Sequence, residues 1–246
     1  MAMSPRLLRP VASGFSPKSI AGLEAWYAAD VASSITIATG VQQWADLSGK
    51  ERHLIQNTTN NQPLHNSVTL NGKPTVTFDG TNDSLRSGAF TVSQPYTYIA
   101  VFRFEAAHVS GVPRIFDAGN PATHRSGEVF RSGTDDMRMY SSPGGGTVVG
   151  NLAPAGSVQS FGIWDFEFNG ASSLLRYRKN VYTASGAIGG NGALRLTIGA
   201  DLNATPASLS NASVAEFLMY GKLLSASEGD KVRAYLGKKY NLAYQA

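Results

Sequence analysis

The sequence predicts an all-β domain in which two antiparallel sheets pack face to face, followed by one short helix. Apolar and polar residues alternate in several short stretches, as they do in strands that bury one side. Turn-forming pairs such as Asn71-Gly72 and Asn169-Gly170 separate these stretches. The 246 residues include 26 glycines and 11 prolines but only 15% charged residues, which favours short strands joined by turns over a disordered chain.

Alternation locates the individual strands. The stretches that we predict as strands are residues 73–78, 97–104, 161–168, 174–178 and 194–198. In 97–104 the residues predicted to share one face are Tyr98, Ala100, Phe102 and Phe104. In 161–168, Trp164, Phe166 and Phe168 face one way, and Ile163, Asp165 and Glu167 face the other, solvated side.

The C-terminal part combines a strand with a helix. Ala215, Phe217 and Met219 are predicted to face the core from one strand. Ser225 and Glu228 have the spacing of a capping box, and apolar residues at helical spacing follow, so we predict a helix over 226–239 that covers one end of the sandwich.

The N-terminal segment is predicted to be an extended arm over residues 1–19, either an anchor or a disordered terminus, ahead of a domain over 20–246. Prolines interrupt regular structure there, and the candidate anchoring residues are Arg6, Leu7, Leu8 and Arg9. Ser16 and Pro17 have the pattern of an N-cap followed by a first helical residue.

Composition excludes several classes of protein. The absence of cysteine rules out disulfide scaffolds and thiol catalysis. No long apolar run predicts a membrane span or a secretory signal. The net charge of +4 is small for this length, and no lysine or arginine stripe indicates nucleic-acid binding.

Two stretches have a more specific pattern. The first begins Gly22-Leu23-Glu24-Ala25-Trp26 and continues to Phe78-Asp79-Gly80; the second runs from Leu196 through Val214–Tyr220 to Lys239-Tyr240. Together they resemble the laminin-G-like, concanavalin A-like lectin/glucanase superfamily, most closely its bacterial and phage branch. This resemblance implies a jelly-roll sandwich whose glycan sites, where present, lie on the concave face or on rim loops. The N-terminal arm resembles those of phage structural proteins.

Aromatic and arginine residues in the middle of the chain are candidates for binding a sugar. A sugar ring has apolar faces and hydroxyl edges, so its sites combine an aromatic surface with polar groups. The candidate residues are Tyr140, Trp164, Tyr177, Tyr182, Arg176 and Arg178. The two arginines are predicted to share a strand face and would suit an anionic polysaccharide or an acidic protein surface; the alternative is an ordinary sandwich surface.

Oxygen donors in one loop make calcium a possible ligand. Asp79, Asn82 and Asp83 are close in sequence, and calcium takes oxygens from such loops. The alternative is that these side chains only organise the turn. Asp117 and the pair Asp135-Asp136 are weaker candidates.

Asp165 and Glu167 are the one pair that could serve glycoside hydrolysis. Both point from one face of a predicted strand, at a spacing that permits two cooperating carboxylates. The superfamily's glucanases have a further glutamate that this sequence lacks, so we interpret the pair as a solvated strand face.

We therefore predict a non-catalytic, lectin-like carbohydrate-binding structural protein of a phage virion. The alternative is a capsid or tail decoration protein that acts only through protein contacts, and a polysaccharide hydrolase is a third possibility. The expected partners are bacterial surface polysaccharide or other virion proteins, in the virion or otherwise outside the cell, with the oligomeric state open.

Overall fold

The described residues form two antiparallel β-sheets. The structure, a computed structural model, describes residues 14–105, 112–119, 125–131, 136–141, 148–151, 157–178, 182–201 and 208–244. Numbered in chain order, the strands of the first sheet are β1 (Leu23–Ala28), β5 (Leu64–Leu70), β6 (Lys73–Asp79), β8 (Tyr96–Phe104), β13 (Gly162–Phe168), β14 (Ser173–Tyr177), β15 (Tyr182–Gly186) and β17 (Asn211–Tyr220). Those of the second sheet are β2 (Ile35–Ile37), β3 (Val41–Trp44), β4 (Leu54–Ile55), β7 (Leu85–Ser87), β9 (Arg114–Asp117), β10 (Glu128–Arg131), β11 (Asp136–Tyr140), β12 (Val148–Asn151) and β16 (Thr197–Ile198).

The strand order makes the molecule a sandwich. The first sheet runs β15-β14-β13-β8-β17-β6-β5, with β1 also paired to β17. The second runs β12-β11-β10-β9-β16-β7-β4-β3-β2. One helix, α1 (Ala226–Tyr240), and short 3-10 turns complete the described elements. The predicted fold class, a two-sheet sandwich with a short C-terminal helix, is confirmed.

An aromatic core fills the space between the sheets. Phe102 of β8 stacks on Trp164 of β13 with ring centroids 5.5 Å apart. Phe116 of the second sheet lies 4.7 Å from the ring of Phe217. Tyr98, Ala100, Phe102 and Phe104 all belong to this core, as the alternation predicts. Large aromatic side chains supply much of the buried apolar area that stabilises such a sandwich.

A β-bulge in β17 changes which side chains face the core. Val214 pairs with Phe102 while Glu216 pairs with the next residue, Val101, so the register shifts between them. Phe217 and Met219 face the core as predicted, but Ala215 lies on the opposite side, where it contacts the helix layer. The prediction for Ala215 is therefore wrong, because an inserted residue breaks the period of two.

Helix α1 lies on the outer face of the first sheet. Ser225 and Glu228 form the predicted capping box. Val232, Leu236 and Tyr240 of the helix pack with residues of β8, β13 and β17 in a second apolar cluster. The helix thus covers a sheet face rather than an end of the sandwich, and the supposedly solvated side of β13 is largely buried beneath it. None of the described helices is long and apolar enough to cross a membrane.

The folded body begins earlier than predicted. The ring of Phe15 lies 5.9 Å from that of Tyr235 on the helix. The Tyr220 hydroxyl donates to the carbonyl of Pro17 (3.3 Å), and Ser16 caps the turn Pro17–Ser19. Residues 15–19 therefore belong to the domain and not to the arm. Arg6, Leu7, Leu8 and Arg9 lie outside the described residues.

Candidate functional site

The outer face of the second sheet has a row of polar residues. Arg86 of β7 pairs with Thr197 of β16, and Thr197 pairs with Asp117 of β9. Their neighbours in the chain, such as Phe116 and Ile198, point into the core. Because side chains alternate along a strand, the row faces away from the core. From β4 to β11 this face spans six strands, about 24 Å.

Glu128 is the centre of an ion-pair network on this face. Its carboxylate is 2% exposed, and it accepts hydrogen bonds from Arg114 Nε (3.1 Å) and from Arg125 Nε and Nη2 (2.7 and 2.6 Å). Arg114 also lies 3.6 Å from Asp201 and donates to the Ser208 hydroxyl (2.6 Å). The hydrogen bonds to Glu128 raise the pKa of Arg125. These contacts hold the guanidinium groups in fixed positions.

Tyr140 lies beside the network. It pairs in register with Glu128, so both side chains are on the outer face. The guanidinium carbon of Arg125 lies 4.2 Å from the centroid of the Tyr140 ring, which is half-buried. This cation–π contact holds the Tyr140 ring against the guanidinium group. Tyr140 is a predicted sugar-binding residue that keeps an accessible position.

Charges on the face are arranged in layers. The carboxylates of Asp117, Glu128 and Asp201 are buried, whereas the side chain of Arg125 is 47% exposed. The pKa of Arg86 is lowered by burial and by nearby Arg195. A ligand that approaches this face therefore meets arginine donors before it meets the acids.

A polar pocket continues the face towards β4. Its volume is about 300 Å³. The side chains that line it are mainly amides and hydroxyls, from Gln56, Asn57, Thr58, Asn61 and Ser84, with Ile55 and Arg86. Such groups both donate and accept hydrogen bonds, as sugar hydroxyls do.

Solved structures share this fold. The sialidase of Trypanosoma rangeli in complex with sialic acid matches 89% of this chain and 33% of its own, with a TM-score of 0.59 and 11% identity. Domain 4 of the extracellular GH43 arabinanase AbnA from Geobacillus stearothermophilus, in complex with arabinotriose, matches 86% of this chain and 98% of its own, with a TM-score of 0.58 and 13% identity. The binding domain of Paraclostridial Mosquitocidal Protein 1 matches 92% of this chain and 54% of its own, with a TM-score of 0.58 and 12% identity.

These likenesses establish the fold. The chain spans only a third of the sialidase's length, and the identities are too low to transfer an activity. No protein-family model and no curated protein sequence matches the chain significantly.

Trp164 and Tyr177 cannot stack on a sugar in this structure. They are 0% and 1% exposed, and their ring centroids lie 4.4 Å apart inside the core. The prediction for these two residues is wrong, because both occupy the inward side of their strands. Tyr182 begins β15, the edge strand of the first sheet, and its role stays a prediction.

Arg176 and Arg178 are not part of the polar face either. Arg176, on the outer side of the first sheet, forms an ion pair with Glu167. Arg178 follows the end of β14 with φ of 49°, and its guanidinium carbon lies 5.1 Å from the Tyr177 ring centroid. The prediction that the two arginines share a strand face is wrong, because the chain turns before Arg178.

Two carboxylates organise the loop of Asp79, Asn82 and Asp83, and calcium binding there stays a prediction. Asp79 Oδ1 accepts the backbone N–H groups of Thr81 (2.7 Å) and Asn82 (3.2 Å), and Asp83 Oδ2 accepts that of Asp79 (3.0 Å). Burial raises the pKa of Asp83 to about 6. Both carboxylates thus bind backbone N–H groups of their own loop, as the alternative interpretation expects. In the part of the chain that the structure describes, no three acidic or histidine side chains are grouped to hold a metal ion.

Asp165 and Glu167 line a cavity of about 330 Å³ between the first sheet and the helix. Asp165 is 2% exposed and forms an ion pair with Arg233, while Glu167 pairs with Arg176. Burial raises the pKa of Asp165. The interpretation of this pair as a solvated strand face is therefore wrong, because helix α1 covers it.

Sequence reasoning missed most of the polar face. The residues concerned belong to short strands and their flanks, where alternation is too brief to assign a side of the sheet. They are Arg86, Arg114, Arg125, Glu128 and Arg195. Only the strand order β7-β16-β9-β10 brings these distant segments together.

Proposed function

We propose that this domain binds carbohydrate without catalysis, on the outer face of the second sheet and with Tyr140 in contact with the sugar. One observation carries the proposal: the half-buried Tyr140 ring lies against Arg125, which the buried Glu128 holds in place. The Arg125–Tyr140 pair suits the apolar face of a sugar ring. The network supplies hydrogen bonds to its hydroxyl edge.

Preorganisation favours this surface. Arginine side chains lose considerable rotamer freedom when a ligand orders them. Here Arg114 and Arg125 are already fixed by Glu128, so less entropy remains to be lost on binding. The arabinanase domain and the sialidase, which were solved with saccharides, show that chains of this fold occur in carbohydrate-active proteins.

The lack of catalysis is also part of the proposal. The carboxylates of Asp165 and Glu167 lie on the other sheet, and each is held by an arginine. A general acid and a nucleophile both need access to the glycosidic oxygen or carbon. The helix that covers Asp165 hinders such access.

The test is binding to an array of bacterial surface polysaccharides, followed by affinity measurement on the best ligand. Tyr140→Ala is expected to weaken binding at least about tenfold, as loss of a central aromatic contact does. Tyr244→Ala, which removes the same side chain near the helix, is the matched control and is expected to bind like the wild type. Failure of every glycan to bind, or full affinity in Tyr140→Ala, would contradict the proposal.

A second candidate is a role in assembly of a phage particle, either alone or together with glycan binding. A groove of about 610 Å³ lies where segment 1–13 joins the body. Its lining includes three aromatic and three basic residues: Phe15, Tyr235, Tyr244, Lys231, Lys238 and Lys239. Such a surface next to the arm suits a contact with a neighbouring subunit.

Deletion of residues 1–13 tests this second candidate. The truncation ends before Phe15 because that residue packs on the helix. It is expected to abolish incorporation into particles, measured by co-sedimentation, and to leave glycan affinity unchanged. Normal incorporation of the truncated chain would rule out the arm as an anchor.

A further inference from the structure

We infer that the ligand of the polar face is a saccharide that bears a carboxylate, and that Arg86 and Arg195 bind this group. The inference rests on the proposed function and names the ligand class of the same face. It concerns the part of the face over β7 and β16, next to the amide-lined pocket and away from Tyr140.

The two arginines lie on the same side of the second sheet. Arg86 pairs with Thr197. Arg195 precedes Thr197 by two residues, and the intervening Leu196 is in the core. The backbone of Leu196 accepts from Ser87 N (2.8 Å), which continues the pairing with β7. Arg86 and Arg195 are thus diagonal neighbours, and long side chains can bridge the distance between such positions.

Two adjacent guanidinium groups repel each other. The proximity of Arg195 helps to lower the pKa of Arg86, while Asp117 and Asp201 offset part of the repulsion. Arg195 Nε is buried and has no acceptor among the described residues. A buried donor without an acceptor destabilises the protein. A carboxylate between the two guanidinium groups would relieve the repulsion, and a shift of the Arg195 side chain towards it would give Nε an acceptor.

The chemistry of the donors favours a carboxylate. Asp117 and Asp201 are buried, and they offset only part of the repulsion between the two arginines. A neutral sugar offers hydroxyl groups that both donate and accept. A carboxylate offers only acceptors, and a surface of arginine donors therefore matches it best. Its planar geometry also allows paired hydrogen bonds from one guanidinium.

The experiment compares polymers that differ in the carboxylate. Polygalacturonate and its full methyl ester share one backbone, alginate and hyaluronan extend the acidic set, and dextran with dextran sulfate tests neutral and sulfated chains. Affinities are measured for the wild type, Arg195→Gln and Arg86→Gln. Lys231→Gln, at an exposed site on the helix, is the control for the same loss of charge.

We expect at least one carboxylated polymer to bind, and the polygalacturonate ester to bind at least about tenfold more weakly than the acid if that polymer is the ligand. Arg195→Gln and Arg86→Gln are expected to weaken binding of the carboxylated polymer by about tenfold each, whereas Lys231→Gln leaves it unchanged. Binding should also weaken with added salt.

The outcomes separate this inference from the proposed function. If neutral glycans bind and no carboxylated polymer binds better, the inference is wrong and the proposed function stands. If dextran sulfate binds as well as the best carboxylated polymer, or Lys231→Gln weakens binding equally, the effect is general charge attraction and the inference is also wrong. If no polysaccharide binds, both fail.

Discussion

Glu216→Ala is expected to lower the free energy of unfolding by about 3–5 kcal/mol, the range for removing one partner of a buried charge network. Glu216 is 0% exposed beneath helix α1. Its carboxylate accepts from four donors: Trp26 Nε1 (2.7 Å), the hydroxyls of Tyr235 (3.0 Å) and Tyr240 (2.8 Å), and Lys239 Nζ (2.8 Å). One side chain thus joins β1 and β17 to the helix.

The loss of stability arises from the donor groups that no longer have Glu216 as an acceptor. Without Glu216, the Trp26 indole N–H and the Tyr235 hydroxyl lose the acceptor oxygen that they share. Lys239 keeps Asp30, 2.6 Å away, so its charge stays partly compensated. Glu216→Gln retains one acceptor oxygen but turns an amide donor towards other donors, and it should cost less than the alanine variant.

Denaturant unfolding at neutral pH measures the effect through the shift in midpoint. Glu105→Ala is the matched control, because Glu105 pairs with the partly exposed Arg103 (2.8 Å). Loss of such a surface pair should cost no more than about 1 kcal/mol. Equal costs for the two alanine variants would show that the buried network contributes nothing beyond an ordinary surface pair.

The sequence predicted the first sheet better than the second. Strands β8 and β13 are long, so their bounds and core faces follow from a period of two. Strands β4 and β16 are two residues long, too short for any periodic signal. The polar face belongs to this second sheet, which is why only Tyr140 of the predicted sugar-binding residues lies on it.

Tertiary contacts explain the other differences. The alternation in β13 correctly separated Trp164 from Asp165, but it could not show that a helix would cover the polar side. The bulge in β17 leaves no signature in the alternation, yet it puts Ala215 and Glu216 on the same side of the sheet. The capping box was predictable because its residues are close in sequence.

Asp165→Ala is expected to lower the free energy of unfolding by about 3 kcal/mol, since it leaves a buried guanidinium without its main partner. Arg233 is buried on the helix and pairs with both Asp165 and Asp230, the latter at 2.9 Å. In this variant, Asp230 remains as a partner of Arg233. Arg233 should therefore turn towards Asp230 on its own helix, and the ion pair that joins the helix to β13 is lost.

The stability of the opposite variant, Arg233→Met, should depend on pH. Burial already raises the pKa of Asp165, and removal of Arg233, which lowers it, must raise it further. The native state then binds a proton that the unfolded state has lost, so the free energy of unfolding falls as the pH rises above the unfolded value of about 3.9. Arg233→Met should be more stable relative to the wild type at pH 5 than at pH 8.

Asp165→Val combined with Arg233→Met replaces the whole pair with apolar side chains. Its free energy of unfolding should lie within about 1 kcal/mol of that of the wild type, because no buried charge remains without its partner. Denaturant unfolding of the three variants at both pH values makes the comparison. A double variant as unstable as Asp165→Ala, or a pH-independent Arg233→Met, would mean that the pair contributes through packing and not through its charges.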